Sequence, residues 1–437
     1  MELRPGYQQT EVGVIPKDWL PKPIRKFSAF VTKGATPTTY GFGWEDDGVV
    51  FLRSECVSDK GLDLAQSMFI SREAHAALAR GEVRSGDILM TITGNVGRVV
   101  QLASDFGYAN INQHIARIRV NDPDVSPGFV YHFLCQPRIR AHYASITTGQ
   151  AYPQISLQQV RETLVSLPRP PEQRAIAGAL GDVDALIGGL DQLMAKKRDL
   201  KKAAIQQLLT GRTSLPGFGK GRSCRVAGLG QVPADWTLTP LRSISTMNGR
   251  IGWQGLKQEE FTSMGTDPFL ITGMNFENGE IRWNEVYHIP EKRYEEAKPI
   301  QLRSGDILMT KDGTIGKLLF VETIPFPGKA SLNSHLLVFR PRNKSYVPKF
   351  LFYELSSKRF ADYVDLNKSG TTFFGITQEA VGNYPACLPS IDEQVAIAAV
   401  LSDMDAELAA LEQRLAKTRA LKQGMMQELL TGRTRLV

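Results

Sequence analysis

The chain is poor in the residues and runs that would place it in several large classes. It has four cysteines in 437 residues, Cys56, Cys135, Cys224 and Cys387, with no CxxC spacing. That excludes a disulfide framework or a zinc ribbon and points to free thiols in a reducing, cytoplasmic setting. No apolar run reaches the length of a membrane span, and the opening MELRPGYQQTEVG lacks the basic-then-apolar order of a secretion signal. Six histidines form no HExxH and no Cys/His cluster, so no metal site is expected. There is no GxxxxGK[ST], no GxGxxG, no GxSxG elbow and no Asn/Asp-Pro-Pro-aromatic motif. The chain therefore lacks the signatures of an NTPase, a dinucleotide enzyme, a serine hydrolase and an amino-methylating enzyme. Its own composition predicts no catalytic residues and no cofactor.

What is present is ordinary globular composition and a repeat. Hydrophobic residues make up 42% and charged residues 22%, as in a soluble protein of two or three domains. A net charge of +7 and a pI near 9.1 permit a nucleic-acid partner without demanding one. Leu167–Thr213 returns as Leu388–Thr434, aligned without a gap and identical at about 25 of about 47 positions. Pro171 and Pro389 open the two copies, and Gly211 and Gly432 close them, the start and stop signals of one long helix each. Apolar residues recur in steps of three and four. They are Ile176, Leu180, Val183, Ile187, Leu190 and Met194 in the first copy, and Ile397, Leu401, Met404, Leu408, Leu411 and Leu415 in the second. Leu200, Ala204 and Leu208, and Leu421, Met425 and Leu429, continue the pattern after a shift. The spacing predicts a seam in which each helix, roughly 57 Å long, packs antiparallel on the other as a coiled coil.

The rest of the chain repeats too. Gly13-Val-Ile-Pro-Lys-Asp-Trp19 has its echo in Gly230-Gln-Val-Pro-Ala-Asp-Trp236, where Pro and Trp suit anchoring to a core. Arg84–Thr91 returns as Arg303–Thr310, Thr93–Gly97 as Asp312–Gly316, and Asn112-Gln113-His114 as Asn333-Ser334-His335. Short apolar runs at Val49–Leu52, Asp87–Met90, Val99–Leu102 and Ile115–Ile118 read as strands, with helices at Arg72–Ala79 and Pro127–Tyr143. The expected organisation is an α+β unit with a curled sheet over residues 1–165, its N-terminal segment being 1–19. A spacer helix follows at 166–213, then a linker and the start of the second repeat at 214–236. A second α+β unit at 237–387 and a second helix at 388–437 complete it. Ser214–Gly228, rich in Gly, Ser and basic residues, reads as the linker.

Candidate binding residues sit where the two halves differ. In the first half they are Lys33, Thr36, Thr38, Tyr40, Arg53, Asn95, Arg98, Gln150 and Tyr152. In the second they are Asn248, Arg250, Gln254, Lys257, Lys311, Thr314, Lys317, Lys368 and Thr371. Arg, Lys, Asn and Gln can pair with base edges in a major groove, although most such residues in any protein are solvated surface. His114 and His335 either hold the repeated backbone or face a ligand. The Gly94–Gly97 and Gly313–Gly316 loops read as hairpin turns, and Asp87 and Asp306 as caps of backbone N–H groups. Lys196-Lys197-Arg198 and Lys201-Lys202 read as a solvated face or protein interface, ahead of contact with phosphates.

Taken in order and in duplicate, these segments resemble the specificity subunits of type I restriction–modification systems. The residues that carry the likeness are Gln9–Trp19, the twin Ser-Gly-Asp-Ile-Leu-Met-Thr segments, Asn112–Arg117 and the twin Leu-Leu-Thr-Gly-Arg-Thr helix ends. The resemblance implies two target-recognition domains, each reading half of a bipartite double-stranded DNA site. It also implies helices that dock two methyltransferase subunits, with translocase–nuclease restriction subunits completing the complex. S-adenosylmethionine, ATP and Mg2+ would belong to those partners. Gly34-Ala35-Thr36-Pro37 is similar to the family's Gly-Thr-Pro loop, from which Asn248-Gly249-Arg250-Ile251 departs further. The recognition chain of another bipartite restriction or methylation system, or a coiled-coil scaffold that reads nothing, would use the same features.

Overall fold

The computed structural model describes residues 5–436 apart from 29, 150, 221, 228–229, 251–255, 263, 278 and 371–373. The chain divides into two compact units. One comprises Met1–Gln192 with Gln413–Val437, and the other Leu193–Glu412.

The first unit holds two four-stranded sheets. In one, Val99–Gln101, Ile88–Thr91, Ile115–Ile118 and Thr32–Lys33 lie side by side; in the other, Met68–Ile70, Val49–Leu52, Tyr108–Ile111 and Glu82–Arg84. A single curled sheet was expected here. The chain is parted instead by a sharp turn at Asn112, whose side chain accepts the His114 backbone N–H at 3.0 Å, so that successive strands enter different sheets. The second unit repeats this. Asn333 accepts the His335 N–H at 3.1 Å, and the sheets are Ser245–Asn248, Leu336–Pro341, Ile307–Thr310, Leu318–Phe320, and Tyr287–His288, Phe269–Ile271, Ala330–Leu332.

The repeated Ile-Leu-Met strand is the hinge of each core. Ile88 and Met90 pack among Phe129, Val130 and Phe133, whereas Leu89 faces Leu52, Val83 and Ile111. Ile307 and Met309 pack with Phe350 and Leu351, and Leu308 with Ile271 and Leu332. A strand covered on both faces has no use for polar alternation, which explains the unbroken apolar run. Asp87 and Asp306 cap backbone N–H groups as expected, accepting from Arg84 and Arg303 at 2.9 Å. Each is also gripped by a guanidinium that the spacing did not reveal, Arg119 on Asp87 and Arg340 on Asp306.

The expected helix at Pro127–Tyr143 is two helices, Pro127–Leu134 and Pro137–Ile146. Pro137 cannot donate to the preceding turn, so the chain restarts there. The linker is likewise shorter than expected. Its last residues, Cys224–Ala227, pair with Gly230–Pro233 in a hairpin matching Tyr7–Thr10 with Gly13–Pro16.

Both long helices form, each of 39 residues, at Pro170–Leu208 and Ile391–Leu429. A glutamine in each first turn fastens helix to domain. Gln173 donates to the Asp124 and Pro168 carbonyls and accepts from Ser126 N–H; Gln394 donates to Pro389 and accepts from Val347 N–H.

The helix ends close the units. In the first unit Gly432 adopts φ 70°, and a Cβ there would lie 2.4 Å from Pro16 Cγ. Tyr7 donates to its carbonyl, and Arg435 binds both Asp18 and Glu172. In the second unit Gly211, φ 65°, meets Pro233 in the same way, and Arg222 binds Asp235 and Glu393. Trp19 and Trp236, both buried, sit beneath these contacts as anchors.

Within each unit the two helices run antiparallel where they meet. Lys197 pairs with Glu407, and Lys201, further along, with Asp405, which lies earlier on its helix. In the first unit Asp184 pairs with Lys422 and Asp191 with Arg419. Ile176, Leu180, Leu190, Met194, Ile397, Leu401 and Leu415 are buried; Val183, Ile187, Met404, Leu408 and Leu411 are half-buried. Leu200 and Leu421 are exposed, against expectation, at 47% and 59%. Counting on from Met194 in steps of three and four lands on Lys197 and Lys201, not on Leu200. Three cations of the basic run, Lys197, Arg198 and Lys201, are thus committed to carboxylates of the second helix.

Candidate nucleic-acid interface

In the first unit, three segments distant in sequence converge beside the Asn112 turn. The hairpin loop after the buried strand carries Asn95 at its exposed tip, with Gly94 and Gly97 at φ 74° and 83° as a tight turn requires. Thr91 Oγ1 donates to the Asn95 carbonyl and accepts from Arg98 N–H, so one hydroxyl spans the loop. Gly94 N–H donates to Pro153, which ties the hairpin to the segment bearing Tyr152. Tyr152 is 64% exposed, its ring edge-on to His114 at 6.3 Å. Thr36, from the Gly-Ala-Thr-Pro loop, donates to Gln113 Oε1 at 2.7 Å, and Gln113 Nε2 lies 3.0 Å from His114 Nε2.

The second unit builds the same place with other chemistry. Gly313 and Gly316 shape the loop at φ 72° and 81°, and Thr310 Oγ1 donates to the Thr314 carbonyl. Gly313 N–H donates to Phe374, whose ring lies 5.2 Å from Lys368 Nζ. Asp312 accepts from Lys311 Nζ at 2.8 Å and faces His335 Nδ1 at 3.0 Å. Burial alone would raise the Asp312 pKa, but the hydrogen bonds and charges of Lys311 and His335 together hold the carboxyl below its ordinary value.

The remaining candidates divide. Lys33, Thr38 and Tyr40 are exposed on or near the Pro37–Tyr40 turn, and Lys257, Thr314, Lys317 and Lys368 are exposed in the second unit. Asn248 is half-buried, its amide 3.5 Å from the Pro299 carbonyl. Gln150, Gln254 and Thr371 lie outside the described residues. Three arginines are otherwise engaged. Arg53 donates to the Gln66 carbonyl and Arg98 leans on Asp59 at 3.6 Å. Arg250 is buried and donates to Leu332 O and Ser331 Oγ; burial, then the nearby Arg293 charge, lowers its pKa to about 10. Arg250 thus braces the strand that enters the Asn333 turn, because a guanidinium that close to two buried acceptors is held by them. Gln113, absent from the expected set, is central to the first cluster. Its signal was the difference between Asn112-Gln113-His114 and Asn333-Ser334-His335.

Among the described residues no group of three or more His, Cys, Asp or Glu is arranged for a metal ion, and no helix is long and apolar enough to cross a membrane. The site therefore offers donors, acceptors and aromatic edges on two copies of one scaffold.

Residues 32–196 and 233–418 match the model of the type I restriction modification DNA specificity domain, so most of the chain is covered, in two copies. The chain belongs to this family of specificity subunits. It is 23% identical over 438 residues to the putative type I restriction enzyme MjaX specificity subunit of Methanocaldococcus jannaschii, covering 99% of this chain and 97% of that one. It is 23% identical to the EcoBI specificity subunit of Escherichia coli, covering 88% and 82% of the two chains. The crystal structure of a type I restriction–modification S subunit from M. genitalium aligns over 98% of both chains, with a TM-score of 0.60 at 14% identity. A chain from a study of complex assembly and conformational transition of the type I system aligns over 96% of this chain and 99% of that one, with a TM-score of 0.53 at 18% identity. At these identities the solved structures establish a shared fold.

Proposed function

We propose that this specificity subunit reads an asymmetric, bipartite double-stranded DNA target, one half-site per unit. One observation carries the reading: a scaffold built twice presents two unlike sets of side chains around a shared histidine. The first cluster offers Asn95, His114 and Tyr152; the second offers Thr314, His335 and Lys368. Identical reading groups would suit a palindrome, and these are not identical.

In this reading residues 1–165 and 237–387 are the target-recognition domains, and the long helices form an antiparallel coiled coil that spaces them. The chain itself is non-catalytic. Two methyltransferase subunits dock on the helices, binding S-adenosylmethionine and methylating adenine. Restriction subunits using ATP and Mg2+ complete the assembly, which acts in the cytoplasm. Leu193 and Leu200, exposed at 40% and 47% one heptad apart, give the helix an apolar face for such docking.

Co-expression with a methyltransferase partner, followed by mapping of methylated adenines, tests the proposal. The expected result is one two-part sequence with an unread spacer. Methylation without sequence preference, or methyl transfer by the isolated chain, refutes it.

A further inference from the structure

The two histidines beside the Asn turns occupy matching backbone positions but contrasting environments. Each N–H is held by the asparagine two residues earlier. Each carbonyl accepts from the hairpin strand opposite, His114 from Ile92 N–H and His335 from Lys311 N–H, both at 2.9 Å. The backbone is therefore fixed without help from either imidazole, which leaves the rings free for another role.

Thr36 Oγ1 donates to Gln113 Oε1, and the amide atom placed against His114 Nε2 is Gln113 Nε2. An NH2 can only donate. Nε2 must accept, and the proton of the neutral ring sits on Nδ1. His114 thus offers a donor. In the second unit Nδ1 of His335 faces Asp312 Oδ2, and a carboxylate can only accept. Here Nδ1 carries the proton as well, but it is consumed by Asp312. The nitrogen left over is Nε2, which in the neutral ring holds a lone pair, on a side chain 54% exposed. His335 thus offers an acceptor.

We propose that His114 and His335 are base-reading groups that the two halves present with opposite hydrogen-bonding polarity. This rests on the DNA-reading function above and specifies its chemistry. A donor at His114 selects a base edge rich in acceptors, such as guanine N7/O6. An acceptor at His335 selects an exocyclic amine, adenine N6 or cytosine N4. Thr36 and Gln113 set the first tautomer and Lys311 and Asp312 the second; these four are positioning residues.

The test uses the complex with a methyltransferase partner. Methylated sites are mapped for wild type and for Ala, Asn and Gln variants at each histidine. His114→Ala is expected to lose about tenfold discrimination at one base pair of one half-site, leaving the other half-site unchanged. Asn places its amide where Nδ1 lies and Gln where Nε2 lies. His114→Asn should therefore restore discrimination and His114→Gln should not, whereas at His335 the order reverses. Should either Ala variant fail to assemble, the Asn and Gln pair carries the comparison. Uniformly slower methylation with unchanged base preference, or the same rescue order at both positions, overturns the proposal. A wild-type complex with no sequence preference overturns instead the reading on which it stands.

Discussion

Arg222→Ala gives the sharpest test of how the units are closed. Arg222 is bidentate to Glu393 at 3.0 and 2.8 Å, and their side chains are 6% and 4% exposed. Removing the guanidinium strands a carboxylate that water cannot reach, which costs about 3–5 kcal/mol. Glu393→Gln added to Arg222→Ala removes the stranded charge, so the double variant should be more stable than Arg222→Ala alone. The matching contact supplies an internal control. Arg435 grips Glu172 and Asp18, and Glu172 is as buried as Glu393 at 3%, but the arginine's own side chain is 31% exposed against 6% for Arg222. Solvent screens that site, and Arg435→Ala should cost less, about 1–3 kcal/mol. Equilibrium urea unfolding of the four chains measures the differences. Equal costs for the two arginines, or a double variant no better than Arg222→Ala, would refute the reasoning that burial sets the magnitude.

Three further outcomes follow from the helices. Leu190→Ala, at a buried position, should cost about 2–5 kcal/mol, while Leu200→Ala should stay within about 0.5, as read from thermal unfolding. Gly211→Ala should destabilise the second unit, since φ is 65° and the new Cβ would lie 2.2 Å from Pro233 Cγ; wild-type melting would show the helix end to be loosely seated. His132 is the third. Burial, against the opposing pull of Asp184, lowers its pKa to about 4 from 6.5. The unfolded chain therefore takes up a proton before the folded one. Stability is full above about pH 6.5 and is lost as pH falls toward 4. His132→Tyr copies Tyr353, which donates to Asp405 at 2.7 Å, and should flatten the urea midpoint between pH 7 and 4.5; an unchanged slope would assign the acid sensitivity elsewhere.

Much of the architecture could be read along the chain because it depends on local periodicity and local turn chemistry. The long helices follow from Pro, Gly and three–four spacing, the hairpin loops from Gly94, Gly97, Gly313 and Gly316, and the buried anchors from Pro-x-Asp-Trp. The duplication itself is a one-dimensional fact. What could not be read depended on partners far away in sequence. Leu200 and Lys201 are neighbours, and only the opposite helix, by offering Asp405, decides which of them enters the seam. Arg250 and Arg98 have side chains suited to reading bases. A buried carbonyl and the Ser331 hydroxyl hold the first and Asp59 pairs with the second, and no spacing rule encodes either. The sequence alone determined that one scaffold is used twice with unlike loops. Tertiary structure decided which side chains remain available, because hydrogen-bonding capacity is finite and is spent first on whatever acceptor the fold brings near. The surroundings of His114 are the clearest instance: Gln113 beside it is held by Thr36, 78 residues away from the histidine.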